Sequence, residues 1–291
     1  ADLLLDGVPS ATRGLVTFDA VAIDGLGLPV HRISAEATVR EAAWADASMR
    51  MVAADTLFAS ARADVHFMGD SLELRLDSLD ARTADARWTL VRPARVFNAA
   101  DRLEVDSLEL RSADGARFAL HGRVETDGEL AMEAHALRVP LAHARFTGLM
   151  PARVNGELTF DARADGTVDS PLLALDVRLD STRVDGRLAP ELNVQGTYAE
   201  RIAALNVNAR SLQRDAFTLT AELPVDLSFR GQTLAERWVK APLYMRLVAD
   251  GSPLGGFEAL MPGVRDLRGG FDADVQVTGY WDALEPRGIV L

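Results

Sequence analysis

The chain has 291 residues, 48% of them hydrophobic and 25% charged, with a formal net charge of −12 and no cysteine. That composition excludes a disordered chain. The acidic balance weighs against nucleic acid and anionic head groups as partners, and the missing thiols exclude disulfides, thiol catalysis and zinc–thiolate sites.

From the amino terminus onward, no apolar run approaches the ~18 residues that a membrane-spanning helix needs. No signal-peptide pattern opens the chain, because Asp2 and Asp6 interrupt its start. The sequence reads as a segment of a longer protein. Its dominant pattern is period-two alternation, the mark of strands with one buried face. Ile33, Ala35, Ala37 and Val39 alternate at the edge of an alanine-rich tract, so 36–66 is read as strands. Leu72, Leu74 and Leu76 alternate with Glu73 and Arg75, and Val105, Leu108 and Leu110 sit among Glu104, Asp106, Glu109 and Arg111. Phe118 and Leu120 follow, then Leu130, Met132 and Ala134, and Leu158 with Phe160. Leu173, Leu175, Val177 and Leu179 make the clearest run. Phe217, Leu219, Leu223, Val225, Leu227 and Phe229 continue the theme across Pro224; Leu243, Met245 and Leu247, then Phe271, Ala273, Val275 and Val277, complete it.

Turn signals separate these runs: Asp114-Gly115, Asp127-Gly128, Asp165-Gly166, Asp185-Gly186 and Asp250-Gly251. Short helices are predicted at 141–149 and 252–260, both running into Leu-Met-Pro, and at 233–240, where Thr233 is the N-cap and Glu236 completes a capping box.

An internal repeat is visible. At an offset of 111, Phe146, Leu149, Met150, Pro151, Phe160, Asp161 and Ala162 match Phe257, Leu260, Met261, Pro262, Phe271, Asp272 and Ala273; with small slips Gly166 then matches Gly279, and Pro171 matches Pro286. Gly14, Thr17, Phe18, Asp19 and Ala20 are a shorter third copy. The chain is therefore read as one continuous repetitive segment, 1–291, with approximate units 1–135, 136–250 and an incomplete 251–291. Such repetition favours stacking in one dimension.

Catalytic, metal and cofactor patterns do not emerge. His31, His66, His121, His135 and His143 are scattered and form no HExxH. Gly69-Asp70-Ser71 lacks the glycines of a nucleophile elbow. Asp176, Asp180 and Asp185 miss the spacing of a calcium loop. Gly25 and Gly27 lack the third glycine of a dinucleotide loop. The expectation is a non-enzyme without cofactor or metal.

What remains is the apolar face. A sheet with one apolar face must bury it, and the predicted helices are too few to cover so many strands. About twenty strands spaced ~4.8 Å apart would stack to roughly 95 Å. Such a sheet folds over on itself into a dry core, or leaves a long groove for an apolar ligand. The inward set is Leu74, Leu76, Val105, Phe118, Leu120, Leu158, Phe160, Val177, Leu179, Phe217, Leu219, Leu227, Leu243, Met245, Val275 and Val277. A carbohydrate-active β-helix would need more aromatic residues than the 6% present.

The tract Trp88-Thr89-Leu90-Val91-Arg92-Pro93-Ala94-Arg95-Val96, followed by Leu103-Glu104-Val105-Asp106-Ser107-Leu108-Glu109-Leu110, resembles the middle region of the TamB family. Gly122-Arg123-Val124 does so too, and Gly166-Thr167 before Pro171 is similar to the family's Gly-Thr-x-x-x-Pro phrase, from which Tyr280 departs. TamB and its AsmA-like relatives are periplasmic proteins of diderm bacteria, anchored in the inner membrane. The resemblance implies an all-β chain: an elongated, folded-over sheet (a β-taco, a solenoid-like groove) with a few short helices. It implies that the concave apolar face holds phospholipid acyl chains in support of lipid transport and outer-membrane biogenesis. The anchor, and any contact with an outer-membrane barrel partner, would belong to parts outside this chain. The reading set beside it is a non-catalytic envelope scaffold with a closed dry core.

Overall fold

The computed structural model describes residues 2–6, 13–25, 28–41, 44–53, 57–83, 85–143, 154–211, 214–229, 234–255, 257 and 267–291. The all-β expectation holds. The described residues form twenty strands, and every strand pairing is antiparallel. Two compact units emerge, residues 1–126 with 136–151 and residues 127–135 with 152–291.

The first unit holds β1 (Asp2–Asp6), β2 (Arg13–Gly25), β3 (Leu28–Glu41), β4 (Trp44–Ala53), β5 (Leu57–Met68) and β6 (Ser71–Arg82). It continues with β7 (Arg87–Leu90), β8 (Ala94–Asn98), β9 (Arg102–Ser112) and β10 (Arg117–Glu125). Each strand pairs with the next along the chain, except that the short β7 and β8 share one place between β6 and β9. The alanine-rich tract is strand, as its alternation predicted. The odd spacing of Val105 and Leu108, three residues apart, has a physical cause. Ser107 has φ +58°, and the pairings Val105–Gly122 and Leu108–Leu120 put two residues of β9 opposite one of β10. This bulge returns Leu108 to the face that Val105 occupies.

β11 (Glu129–Pro140) contributes residues to both units. The second unit adds β12 (Val154–Thr167), β13 (Pro171–Val184), β14 (Arg187–Leu188), β15 (Glu191–Ala199) and β16 (Ile202–Ser211). β17 (Arg214–Pro224), β18 (Leu243–Pro253), β19 (Gly270–Tyr280) and β20 (Ala283–Val290) complete it. From β12 to β20 each strand again pairs with its sequence neighbour, with β13 also pairing β15 past the short β14. Hairpins of this kind need no crossover; only the connections from β17 to β18 (225–242) and from β18 to β19 (254–269) in this unit are long.

Several expectations are corrected. Asp250-Gly251 is a bulge inside β18, where the register to β19 shifts and the Gly251 N–H donates to the Asp272 carboxylate (2.5 Å). The run across Pro224 does not continue as a strand: proline ends β17, and Val225 makes only an isolated bridge to Trp238. Of the helix at 233–240, only a single 3₁₀ turn forms, Leu234–Arg237. Of 141–149, residues 141–143 form a short 3₁₀ turn, and the rest lies outside the described residues. In 252–260, Ser252 and Pro253 finish β18, Leu254, Gly255 and Phe257 are in 3₁₀ conformation, and both Leu-Met-Pro phrases lie outside the described residues.

Candidate functional site

Directly paired residues of an antiparallel sheet share a face, so register alone sorts the side chains. In the second unit one row runs Phe160–Val177–Val194–Val207–Leu219–Leu247–Val275. The next row on that face runs Ala162–Leu175–Gly196–Leu205–Ala221–Met245–Val277. Leu158, Leu179 and Phe217 belong to a third row, and Leu243 stands two residues before Met245 on the same side. The row on the opposite face reads Asp161–Asp176–Gln195–Asn206–Thr220–Arg246–Gln276. The first unit repeats this division: Val65–Leu74–Val96–Val105 on one face, Asp64–Arg75–Arg95–Asp106 on the other. Leu76 joins the apolar rows through Ala63 and Ala94, Phe118 through Leu110, and Leu120 through Leu108.

Fifteen of the sixteen expected residues therefore stand on the apolar face of their own unit. The exception is Leu227, which lies beyond β17. It packs with Leu173 and Leu223 against a small buried cluster of Tyr198, Ala203 and Val225 at the end of that face, where Leu173, Tyr198, Ala203 and Leu223 form a further row. Its N–H donates to the Tyr198 hydroxyl (2.9 Å).

Burial separates a dry core from an open face. Of the sixteen, only Val105 and Leu243 are buried; the others are half-buried. Among the described residues, the buried hydrophobic side chains are mostly alanine. A closed sandwich would take its leucines and phenylalanines below a tenth of their exposure, as interiors do. Here those side chains cover one another sideways along the rows but keep contact with solvent.

The polar face of the second unit carries a recess of about 810 Å³, which the sequence reading did not find. Its walls include Glu133, His135, Asp161, Arg163, Gln195 and Glu222. His135 Nδ1 lies 2.5 Å from Asp161 Oδ1, and Arg163 reaches both Asp165 (2.5 Å) and Glu133 (3.7 Å). The hydrogen bond to Asp161 holds the His135 imidazole above its usual range, against the opposing effect of burial, and Glu133 adds to the shift. Gln195 Nε2 donates to Asp176 (3.1 Å), which accounts for one of the three aspartates weighed as calcium ligands. Period-two reading finds apolar rows but is blind to which polar side chains meet across strands.

In the first unit His143 is buried, with Nε2 3.1 Å from Asp114 Oδ2, and it packs edge-on to Trp88. The Ser112 hydroxyl and the Ala116 N–H also bond Asp114. Although burial pushes the other way, these partners hold the Asp114 carboxyl below its ordinary range. The serine bonds the carboxylate, not the imidazole, so this is a clamp on the β9–β10 turn and does not have the order of a nucleophilic triad.

No family model, curated protein or solved structure matches the chain.

Proposed function

We propose that this chain binds lipid acyl chains along its apolar sheet face, as a TamB-type segment of the periplasm serving phospholipid transport and outer-membrane biogenesis. The observation that carries the reading is the half-burial of the inward rows. The leucine, valine and phenylalanine side chains are aligned by register across successive strands and are not sealed into a core. Each methylene of an acyl chain moved from water onto such a surface gains ~0.8 kcal/mol. Rows of similar apolar side chains offer no single deep trap, so a bound chain can slide along them. No step of this function calls for a catalytic residue, cofactor or metal.

The test is native mass spectrometry of gently purified protein, with lipid extraction in parallel. Wild type is expected to carry phospholipid. Met245→Asp, on the apolar face, should lose it; Gln276→Asp, on the polar row, should keep it. A wild-type protein that stays lipid-free when phospholipid is added would reject the proposal in favour of a scaffold.

A further inference from the structure

At the end of the second unit where β15 turns into β16 and β19 into β20, aromatic side chains gather on the surface. The Trp238 and Trp281 rings lie 4.1 Å apart between centroids, tilted by 45°. Both are fixed to the end of β17: Trp281 Nε1 donates to the Pro224 carbonyl (2.9 Å), and Trp238 makes the antiparallel bridge to Val225. Ile202 pairs with Pro224, Tyr280 with Ala283 and Leu284 with Gly279, so their backbones flank the two indoles. Trp238, Tyr280, Ile202 and Leu284 are each between 47% and 49% exposed. Two of the chain's four tryptophans thus meet at this strand end, Trp238 half exposed and Trp281 more covered, with Tyr280 and Leu284 exposed beside them on alternate faces of the β19–β20 hairpin.

We infer that this aromatic end is a docking surface for the interfacial layer of a zwitterionic phospholipid bilayer. Indole and phenol rings combine an apolar body with a polar handle, and they favour the head-group level of a membrane. The patch is continuous with the apolar face: Val225, bridged to Trp238, belongs to the buried cluster with Tyr198 and Ala203, against which Leu173 and Leu223 pack. A lipid leaving a bilayer held here would have to pass this buried cluster to reach the half-buried rows beyond it. Charge selects the kind of bilayer. Arg201 is engaged by Asp226, and Arg237 donates to the carbonyls of Asp226 and Ser228. Glu200, Glu236, Asp282 and Glu285 lie within two residues of Ile202, Trp238 or Leu284, against the charges of Lys240 and Arg237, so an anionic surface would be repelled. The mutual tilt of the two indoles gives no flat platform for stacking a sugar ring. The choice of partner rests on the acyl-chain reading.

The experiment is flotation with phosphatidylcholine vesicles, comparing wild type with the triple variant Trp238→Ser/Tyr280→Ser/Leu284→Ser and with Phe58→Ser, an equally exposed apolar residue of the first unit. The altered side chains face solvent, and a thermal melt checks that each variant is folded. Wild type should float, the triple variant should lose about tenfold or more in partitioning, and Phe58→Ser should behave as wild type. Wild type that stays in solution, or a triple variant that floats unchanged, would overturn the inference; so would concentration-dependent self-association that replaces flotation, which assigns the patch to a second copy. Met245→Asp separates the two proposals: it should float normally while carrying no lipid. If wild type floats through this patch yet takes up no lipid, the docking surface stands and the acyl-chain reading falls.

Discussion

Single residues decide how the loop after β17 is held. Asp226 is buried; its carboxylate accepts from Arg201 (2.9 Å) and from the Ser228 N–H (2.9 Å). Arg237 clamps the same loop through two carbonyls. Asp226→Ala would leave the buried Ser228 N–H without a partner and free Arg201, which is largely exposed, to water. The expected loss is about 2 kcal/mol in denaturant unfolding, and a loss below ~0.5 kcal/mol would show that backbone contacts alone hold the loop. His135 gives a pH signature of definite sign. Its folded value is raised by Asp161, so the stabilisation is complete below the unfolded imidazole value of ~6.5 and is lost as pH rises through the folded value. The melting temperature of the wild type should therefore fall relative to Asp161→Asn on going from mildly acidic to mildly basic pH; parallel curves would show that the pair contributes nothing. Neither partnership was legible in the sequence. Asp226 and Arg201 are 25 residues apart along the chain, and His135 and Asp161 are 26 apart, on different strands.

At the level of elements, strands were legible because alternation is a local signal, and short hairpins convert most of it into topology without long-range choices. Local signals fail where the backbone departs from regular geometry. Asp250-Gly251 has the composition of a turn, yet Asp272 of the neighbouring strand holds it as a bulge. Val225, Leu227 and Phe229 alternate like a strand, but Pro224 withholds the N–H that pairing would need, and the loop bonds elsewhere: the Phe229 N–H donates to the Val168 carbonyl (2.9 Å). The repeat, in contrast, has a geometric basis at one matched pair. Gly166 and Gly279 both have positive φ, +93° and +108°, just before their hairpin turns. A Cβ on Gly166 would lie 2.7 Å from the Ser170 carbonyl oxygen, and one on Gly279 would run into the Ala283 carbonyl. Gly279→Ala should thus lose about 2–3 kcal/mol. Gly186→Ala, at φ +78° but with open space around the new methyl, should lose only about 1 kcal/mol. Equal losses on chemical denaturation would mean that the close approach adds nothing to the cost of φ.

For the chain as a whole, the governing fact is the mismatch between apolar content and apolar burial. Nearly half of the residues are hydrophobic, yet few large side chains among those described are buried. The sequence could reveal the mismatch only as a shortage of helices to cover the strands. It could not say whether the strands cover each other, because a row of leucines reads the same in a dry core and on an open face. The half-buried rows separate these cases and predict a native state that behaves unlike an ordinary globular domain. Dyes that light up on apolar surface, such as anilinonaphthalene sulfonate, mark partly unfolded proteins because native ones hide such surface. Delipidated wild type should bind the dye at neutral pH while giving a cooperative thermal melt. Met245→Asp should bind less dye, and added phospholipid should displace it. The alternative source of a dye signal is a loosened core, and the melt distinguishes it: a loosened core binds dye without a cooperative transition, whereas an open, ordered face gives both. Dye binding that Met245→Asp leaves unchanged would place the exposed apolar surface elsewhere than on these rows.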